Sequence, residues 1–282
     1  MANVRFTIQS NQKFIRQLME EFVQIKNDSD SPFRWSCAGA ESQPESSEKK
    51  TVDFFVLPLQ KLDANKKTHH IVSVTKRLSG LDRLLLPPQF FKKNIPGALR
   101  TLPLATTEER IQDQFAQLIP EADVPAILPE NEVLDELLKS GDRALIAPWH
   151  LPVNRLLEEG WNSLVLHPSE FTPEAGSGCW AIARKEEVPD DLIQTVRELH
   201  HPSTVVLTNI ERKFVREFNK PDWKPLGVFL QSPAEDKYEL YLCLKHGKTG
   251  SVEYIDYPSS TIGDMVPEAL KMVDLHIEQN SI

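Results

Sequence analysis

Apolar residues at Phe14, Ile15, Leu18, Met19, Phe22 and Val23 share one helical face and predict a helix over Lys13–Ile25. Val4–Ile8 and Phe33–Cys37 read as strands on either side of it, and VDFFVL (Val52–Leu57) is a continuous apolar run that suits a buried parallel strand. Ala38–Lys50 is polar and low in complexity and reads as a loop. The rhythm repeats with a strand at Leu102–Ala105, a helix burying Ile111, Phe115, Leu118 and Ile119, and a second helix near Asn131–Ser140 that ends at Gly141. Ala144–Ala147 and Ser163–Leu166 are further strands. Thr106 with Glu109 three residues on has the form of a capping box. The last part differs: helices over Pro189–His200 and Val205–Phe218, a strictly alternating strand at Tyr238–Lys245 that predicts a half-exposed Cys243, a GKTG turn, a partner strand at Ser251–Tyr257 and a closing helix over Thr261–Gln279.

The pattern predicts an α/β protein with a small C-terminal α+β domain. Domain 1 is expected over 1–98 and 179–197, domain 2 over 99–175 and domain 3 over 198–282. A length of 282 residues fits more than one core. The net charge of −9 argues against nucleic acid, whose phosphates call for a basic footprint. No window approaches an uninterrupted apolar membrane span, and MANVRFTIQS lacks the apolar core of a signal peptide, so the expectation is no membrane and a cytoplasmic location. Cys37, Cys179 and Cys243 are widely spaced and odd in number, which fits a reducing compartment better than a disulfide scaffold. His69-His70 and His200-His201 are adjacent pairs that point to opposite faces of a strand, so no metal site is expected. Trp149-His150 and Trp161 read as packing at element ends.

One stretch carries a family resemblance. Glu211-Arg212 lies on a helix that leads to the loop Asn219–Trp223 and then to Pro225-Leu226-Gly227. Leu199-His200-His201 and Thr204 approach that helix, and Pro173-Glu174-Ala175-Gly176-Ser177-Gly178 lies upstream. In this order the last third resembles hydroxymethylbilane synthase (porphobilinogen deaminase). More loosely, Val52–Val56 and Ala105–Arg110 occupy the places of that family's Ala-Asp-Ile-Ala-Val strand and Thr-Ser-Ser-Leu-Arg-Arg motif. The resemblance implies two periplasmic-binding-protein-like α/β domains joined by crossing segments, plus the α+β third domain. It also implies a tetrapyrrole (haem, porphyrin) biosynthetic setting.

Family chemistry polymerises an acidic pyrrole on a dipyrromethane held by a loop cysteine. That needs a thiol, a catalytic aspartate and several arginines. Here Asp222 stands at the cysteine position, so the dipyrromethane is expected to be absent. Gln60-Lys61 replaces Lys-Asp, Gln9 and Asn11 replace an arginine and a serine, Glu109 replaces one of two arginines, and Arg110 alone remains. Leu128–Leu134 has no basic residue where the family carries two, and a lid with its helix is missing around Ala38–Lys50. Each lost bidentate arginine costs about 2–5 kcal/mol of binding, against about 8 for micromolar affinity. The expectation is therefore a catalytically degenerate homologue, a pseudoenzyme that serves as a binding or regulatory protein. Two alternatives stay open: an active deaminase with relocated machinery, and a cleft-type binding protein for an unrelated small ligand. Family-equivalent positions for a ligand in the interdomain cleft are Gln9, Asn11, Gln60, Lys61, Thr106, Thr107, Glu109, Arg110, Ser177 and Asp222. For three of these a plainer role competes: a turn former at Asp222, a paired surface arginine at Arg110, and a tight crossover at Gly176-Ser177-Gly178.

Overall fold

The computed structural model describes residues 2–9, 13–29, 32–39, 51–62, 70–90, 100, 102–184 and 187–280. They form two compact units, residues 1–78 with 178–206, and residues 79–177 with 207–282. The loop expected over Ala38–Lys50, the residue Asn11 and His69 lie wholly or mostly outside the described residues.

In the first unit, β1 (Ala2–Ile8) pairs in parallel with β2 (Phe33–Gly39) on one side and β3 (Thr51–Pro58) on the other. The edge strand β4 (His70–Val74) pairs with β10 (Trp180–Arg184), which also runs antiparallel to β3. The sheet order is β2-β1-β3-β10-β4. Helix α1 (Lys13–Asp28) buries Ile15, Met19 and Phe22 from the apolar face its spacing predicts, with Leu18 and Val23 half-buried beside them and Phe14 exposed at its edge. Phe22 meets Phe6 and Trp35 edge-on, and Phe6 in turn contacts Trp35 and Phe54 at ring distances of 5.7 Å. Four aromatic rings therefore knit the helix to three strands.

The second unit holds two sheets. In the larger, β6 (Leu104–Thr106), β7 (Ala126–Ile127) and β8 (Ala144–Ala147) run parallel, while β5 (Arg83–Leu86) lies antiparallel between β8 and β9 (Asn162–Val165). Alternation sends Leu84, Leu104 and Ile146 to the face covered by α2 (Glu109–Leu118). It sends Leu85, Ala105 and Leu145 to the face covered by α3 (Val133–Ser140) and α4 (Asn154–Glu158). Gly141 closes α3 in the left-handed conformation at φ 62°, as its place in the sequence predicts. In the smaller sheet, β11 (Trp223–Ala234), β12 (Lys237–His246) and β13 (Val252–Ser259) are antiparallel with β12 central. Helices α6 (Pro202–Glu217) and α7 (Met265–Asn280) cover one face, following the short α5 (Asp190–Val196) in the chain.

The α/β character and the added small sheet agree with expectation, and the domain limits do not. Strand β5 falls inside the span 1–98 expected for domain 1, yet its hydrogen bonds go to β8 and β9, so the second body begins at residue 79. Residues 207–282 join the second α/β sheet in one unit instead of standing apart. The cause is the other face of the small sheet, which packs on α2: Tyr254 Oη donates to Gln114 O at 3.4 Å and Lys245 Nζ pairs with Asp113 at 2.5 Å. For the same reason β12 is buried from Leu240 to Leu244, and the half-exposed Cys243 expected from alternation is 0% exposed.

Cys179 is also buried, which leaves Cys37 as the half-accessible thiol. Burial, with help from the Glu20 carboxylate, pushes Cys37 up to about 11, and burial pushes Cys243 up to about 12. A maleimide at neutral pH is expected to modify Cys37 alone, about a hundredfold more slowly than a free thiol, with all three reacting after denaturation. Mass spectrometry counts the adducts; rapid addition of two or more to the folded protein would contradict this burial pattern.

Candidate functional site

Asp82 sits just before β5, with no exposed surface. Arg110, in the first turn of α2, reaches it with two donors, Nη1 to Oδ2 at 2.8 Å and Nη2 to Oδ1 at 3.1 Å. Nη2 also donates to Glu108 Oε2 at 2.8 Å, and Nη1 to the Thr172 carbonyl at 3.0 Å. The backbone of Trp149 adds a hydrogen bond to the Asp82 carboxylate. Burial works against the Arg110 charge, and Asp82 with Glu108 outweighs it, raising the guanidinium further above its ordinary value. Only a planar fork with this many donors serves two carboxylates and a carbonyl from one position.

This cluster floors an edge of the larger sheet. Strands β6, β7 and β8 are parallel, so their carboxyl ends, at Thr106, Ile127 and Ala147, lie on one edge, and the loops that leave there gather polar side chains. His150 Nε2 is 3.8 Å from Glu108 Oε1 and 3.8 Å from Glu130 Oε1. The imidazole is nearly enclosed, with 4% of its side chain exposed, whereas Glu130 is 53% exposed and stands at the rim. Thr107 Oγ1 is shut off from solvent and has no hydrogen-bond partner among the described residues. The rim thus offers carboxylate acceptors and an imidazole, while the guanidinium of Arg110 is committed to Asp82, Glu108 and Thr172. Among the described residues no group of His, Cys, Asp and Glu has the arrangement of a metal site.

The positions expected from sequence fall into four places. Gln9 follows β1, exposed, and its N–H donates to Val56 O at 2.7 Å. Gln60 and Lys61 lie in a single 3-10 turn, Leu59–Lys61, after β3, with Lys61 exposed. Because β1 and β3 are parallel, these three share the carboxyl edge of the first sheet. Thr106, Thr107, Glu109 and Arg110 gather at the corresponding edge of the second. Thr106 is not a helix cap: it is the last residue of β6, buried and paired with Ile127 and Ile146, and α2 starts after Glu108 with no side-chain cap. Arg110 is not available to hold an anion, because its terminal nitrogens are taken by Asp82, Glu108 and Thr172. Glu109 points away, exposed.

Ser177 is buried in the crossover, its N–H donating to Glu174 O at 3.0 Å between Gly176 and Gly178, both at φ 88°. That is a tight turn of backbone. Asp222 lies at the foot of β11, where Lys248 Nζ reaches its carboxylate at 2.7 Å and its carbonyl accepts from Gly247 N–H. The Lys248 hydrogen bond holds Asp222 below the usual carboxylate range. Sequence reading missed Asp82, Glu108, Glu130 and His150 as a group. The available signal was Pro-Trp-His directly after a buried strand, at the edge where ligands meet parallel sheets.

No family model and no curated protein matches the chain. Solved structures do resemble it in fold. A TRAP periplasmic solute binding protein from Shewanella oneidensis with bound succinate is 12% identical over 75% of this chain and 81% of its own, at a TM-score of 0.45. The AmpR effector binding domain from Citrobacter freundii is 14% identical over 76% and 100%, at 0.43. DctP7, a Bordetella pertussis extracytoplasmic solute receptor binding pyroglutamic acid, is 9% identical over 77% and 83%, at 0.44. Likeness at this level says nothing of ligand or chemistry. The tetrapyrrole setting expected from sequence is corrected to this extent: the similar structures are solute receptors and an effector-binding domain, and none of the comparisons supports it. Among the described residues no helix is long and apolar enough to cross a membrane.

Proposed function

We propose that this chain is a binding protein for a small polar ligand, which it reads at the carboxyl ends of β6, β7 and β8. One observation carries the reading: loops from these parallel strands bring Glu108 and Glu130 to 3.8 Å from the enclosed His150 imidazole. Acceptors at a sheet's carboxyl edge favour ligands that bring N–H or O–H donors, and they repel carboxylates. The overall charge of −9 acts in the same direction. Catalysis is not needed to explain any of these groups.

Thermal unfolding in the presence of putrescine, histamine, a neutral sugar, succinate and pyroglutamate tests the reading. A ligand at a hundred times its Kd adds about 2.7 kcal/mol, a rise of several degrees in Tm. The amines are expected to stabilise, succinate and pyroglutamate to leave Tm unchanged, and Glu130→Gln to weaken the response to amines. A protein that answers only to succinate and pyroglutamate, or to none of the five, would refute the assignment.

A further inference from the structure

The chain passes between the two units three times, and two of the stretches that do so, the one entering the second unit at residue 79 and the one leaving it at residue 177, are tied to one side chain. Asp82 lies three residues past the entry and takes both terminal nitrogens of Arg110. Thr172 lies five residues before the exit, and its carbonyl accepts from Arg110 Nη1 and from Gln114 Nε2, each at 3.0 Å. From there the exit segment is fastened in sequence. Val228 N–H donates to Pro173 O at 2.8 Å, Gly176 N–H to Glu211 Oε2 at 2.7 Å, and the other oxygen of Glu211 accepts from Leu230 N–H at 2.7 Å. The third hold of Arg110 is Glu108 Oε2, and Glu108 Oε1 faces His150 at the rim.

We propose that Arg110 is a positioning residue that couples the state of Glu108 at the rim to the hold on the entry and exit segments. A rigid guanidinium cannot turn toward one partner without changing its angle to the others. Whatever draws on Glu108 therefore alters the bonds to Asp82 and Thr172. The inference rests on the reading of that rim as the ligand site. Its test uses no ligand, so a failed ligand panel and a failed coupling are separate results.

Amide hydrogen exchange on the full-length chain is the test, comparing the parent with Glu108→Gln and Glu130→Gln. The reporters are the amides of Leu166, which donates to Asp82 O, and of Val228, Gly176 and Ser177. The Gly141 amide at the end of α3 reports general loosening. Glu108→Gln is expected to speed exchange at the four reporters about tenfold and to leave Gly141 unchanged. Glu130→Gln, which removes a rim carboxylate without touching Arg110, is expected to change none of them. Should Glu108→Gln fail to fold, Glu108→Asp keeps the charge on a shorter arm and is expected to move the same four amides. Equal effects from Glu108 and Glu130 variants, or reporters that follow Gly141, would overturn the coupling.

Discussion

Replacing Arg110 by methionine is expected to cost about 3–5 kcal/mol of stability, because it strips a fully buried carboxylate of its counter-charge. Asp82 has no exposed surface, so it cannot recover the loss from water. Glu108 is 11% exposed on its side chain and can turn outward, which limits its share of the damage. The Thr172 carbonyl keeps Gln114 as a donor. In a chain of this length such a loss lowers Tm by roughly 10 °C. Arg110→Lys keeps the charge but loses the fork and is expected to fall between parent and methionine variant. The double variant Asp82→Asn with Arg110→Met removes the stranded charge and is expected to recover half or more of the difference. Urea melts give these values; a methionine variant within about 1 kcal/mol of the parent would show that the network is dispensable.

The loss also has a sign with pH. Burial already holds the Asp82 carboxyl above the unfolded value near 3.9; in the methionine variant Arg110 no longer opposes burial and the Glu108 charge, only the Trp149 backbone hydrogen bond does, so the carboxyl rises further. A raised carboxyl contributes fully below that value, and its contribution falls as pH rises through the folded pKa. The gap between parent and variant is therefore widest at neutral pH and narrows as the solution is acidified toward pH 4.

How much of this could be read from sequence differs by level. The helical face of α1 and the strands β1, β3 and β8 follow from periodicity and apolar runs, because each is decided by residues next to one another in the chain. The limits of the two bodies were not legible. Whether Arg83–Leu86 joins the first sheet or the second is decided by β8 and β9, some 60 and 80 residues away, and the apolar run is the same in either place. The burial of Cys243 likewise depends on α2 covering the second face of β12, a contact between residues more than 100 positions apart.

The chemistry of the candidate site was not legible. Thr106, Thr107 and Arg110 follow from a family motif as ligand positions, and the sequence alone does not say that Asp82 pairs with Arg110. A surface arginine awaiting an anion and a buried one already paired look identical in a string of letters. Glu211 and Gly227 open and close the pattern on which the family resemblance was drawn, and in the fold both have structural work. Glu211, with no exposed surface, joins the exit segment to β11 through Gly176 and Leu230. Gly227 makes room for that segment.

The Gly227→Ala variant is expected to be among the most damaging of single-atom additions to this fold. A Cβ at Gly227 would lie 2.2 Å from the Thr172 carbonyl oxygen and 2.8 Å from the Thr172 carbonyl carbon, both backbone atoms. The glycine is required by this approach and not by a left-handed φ. Thr172 cannot withdraw cheaply: its carbonyl is held by Arg110 and Gln114, its hydroxyl donates to Pro168 O, and Pro173 beside it accepts from Val228. Relief means lifting β11 from the exit segment, which forfeits several buried hydrogen bonds at about 1 kcal/mol or more each on top of the packing strain. A loss above about 3 kcal/mol is expected. Two other glycines calibrate it. Gly263 has open space around its Cβ direction and an ordinary φ, so Gly263→Ala is expected to be near neutral. Gly141 has open space but a φ of +62°, so Gly141→Ala is expected to cost about 1 kcal/mol from backbone strain alone. The order Gly263, Gly141, Gly227 in rising cost separates conformational strain from steric exclusion, and a Gly227 variant as stable as the Gly263 one would mean that the exit segment is not held against β11 by Arg110 and Gln114.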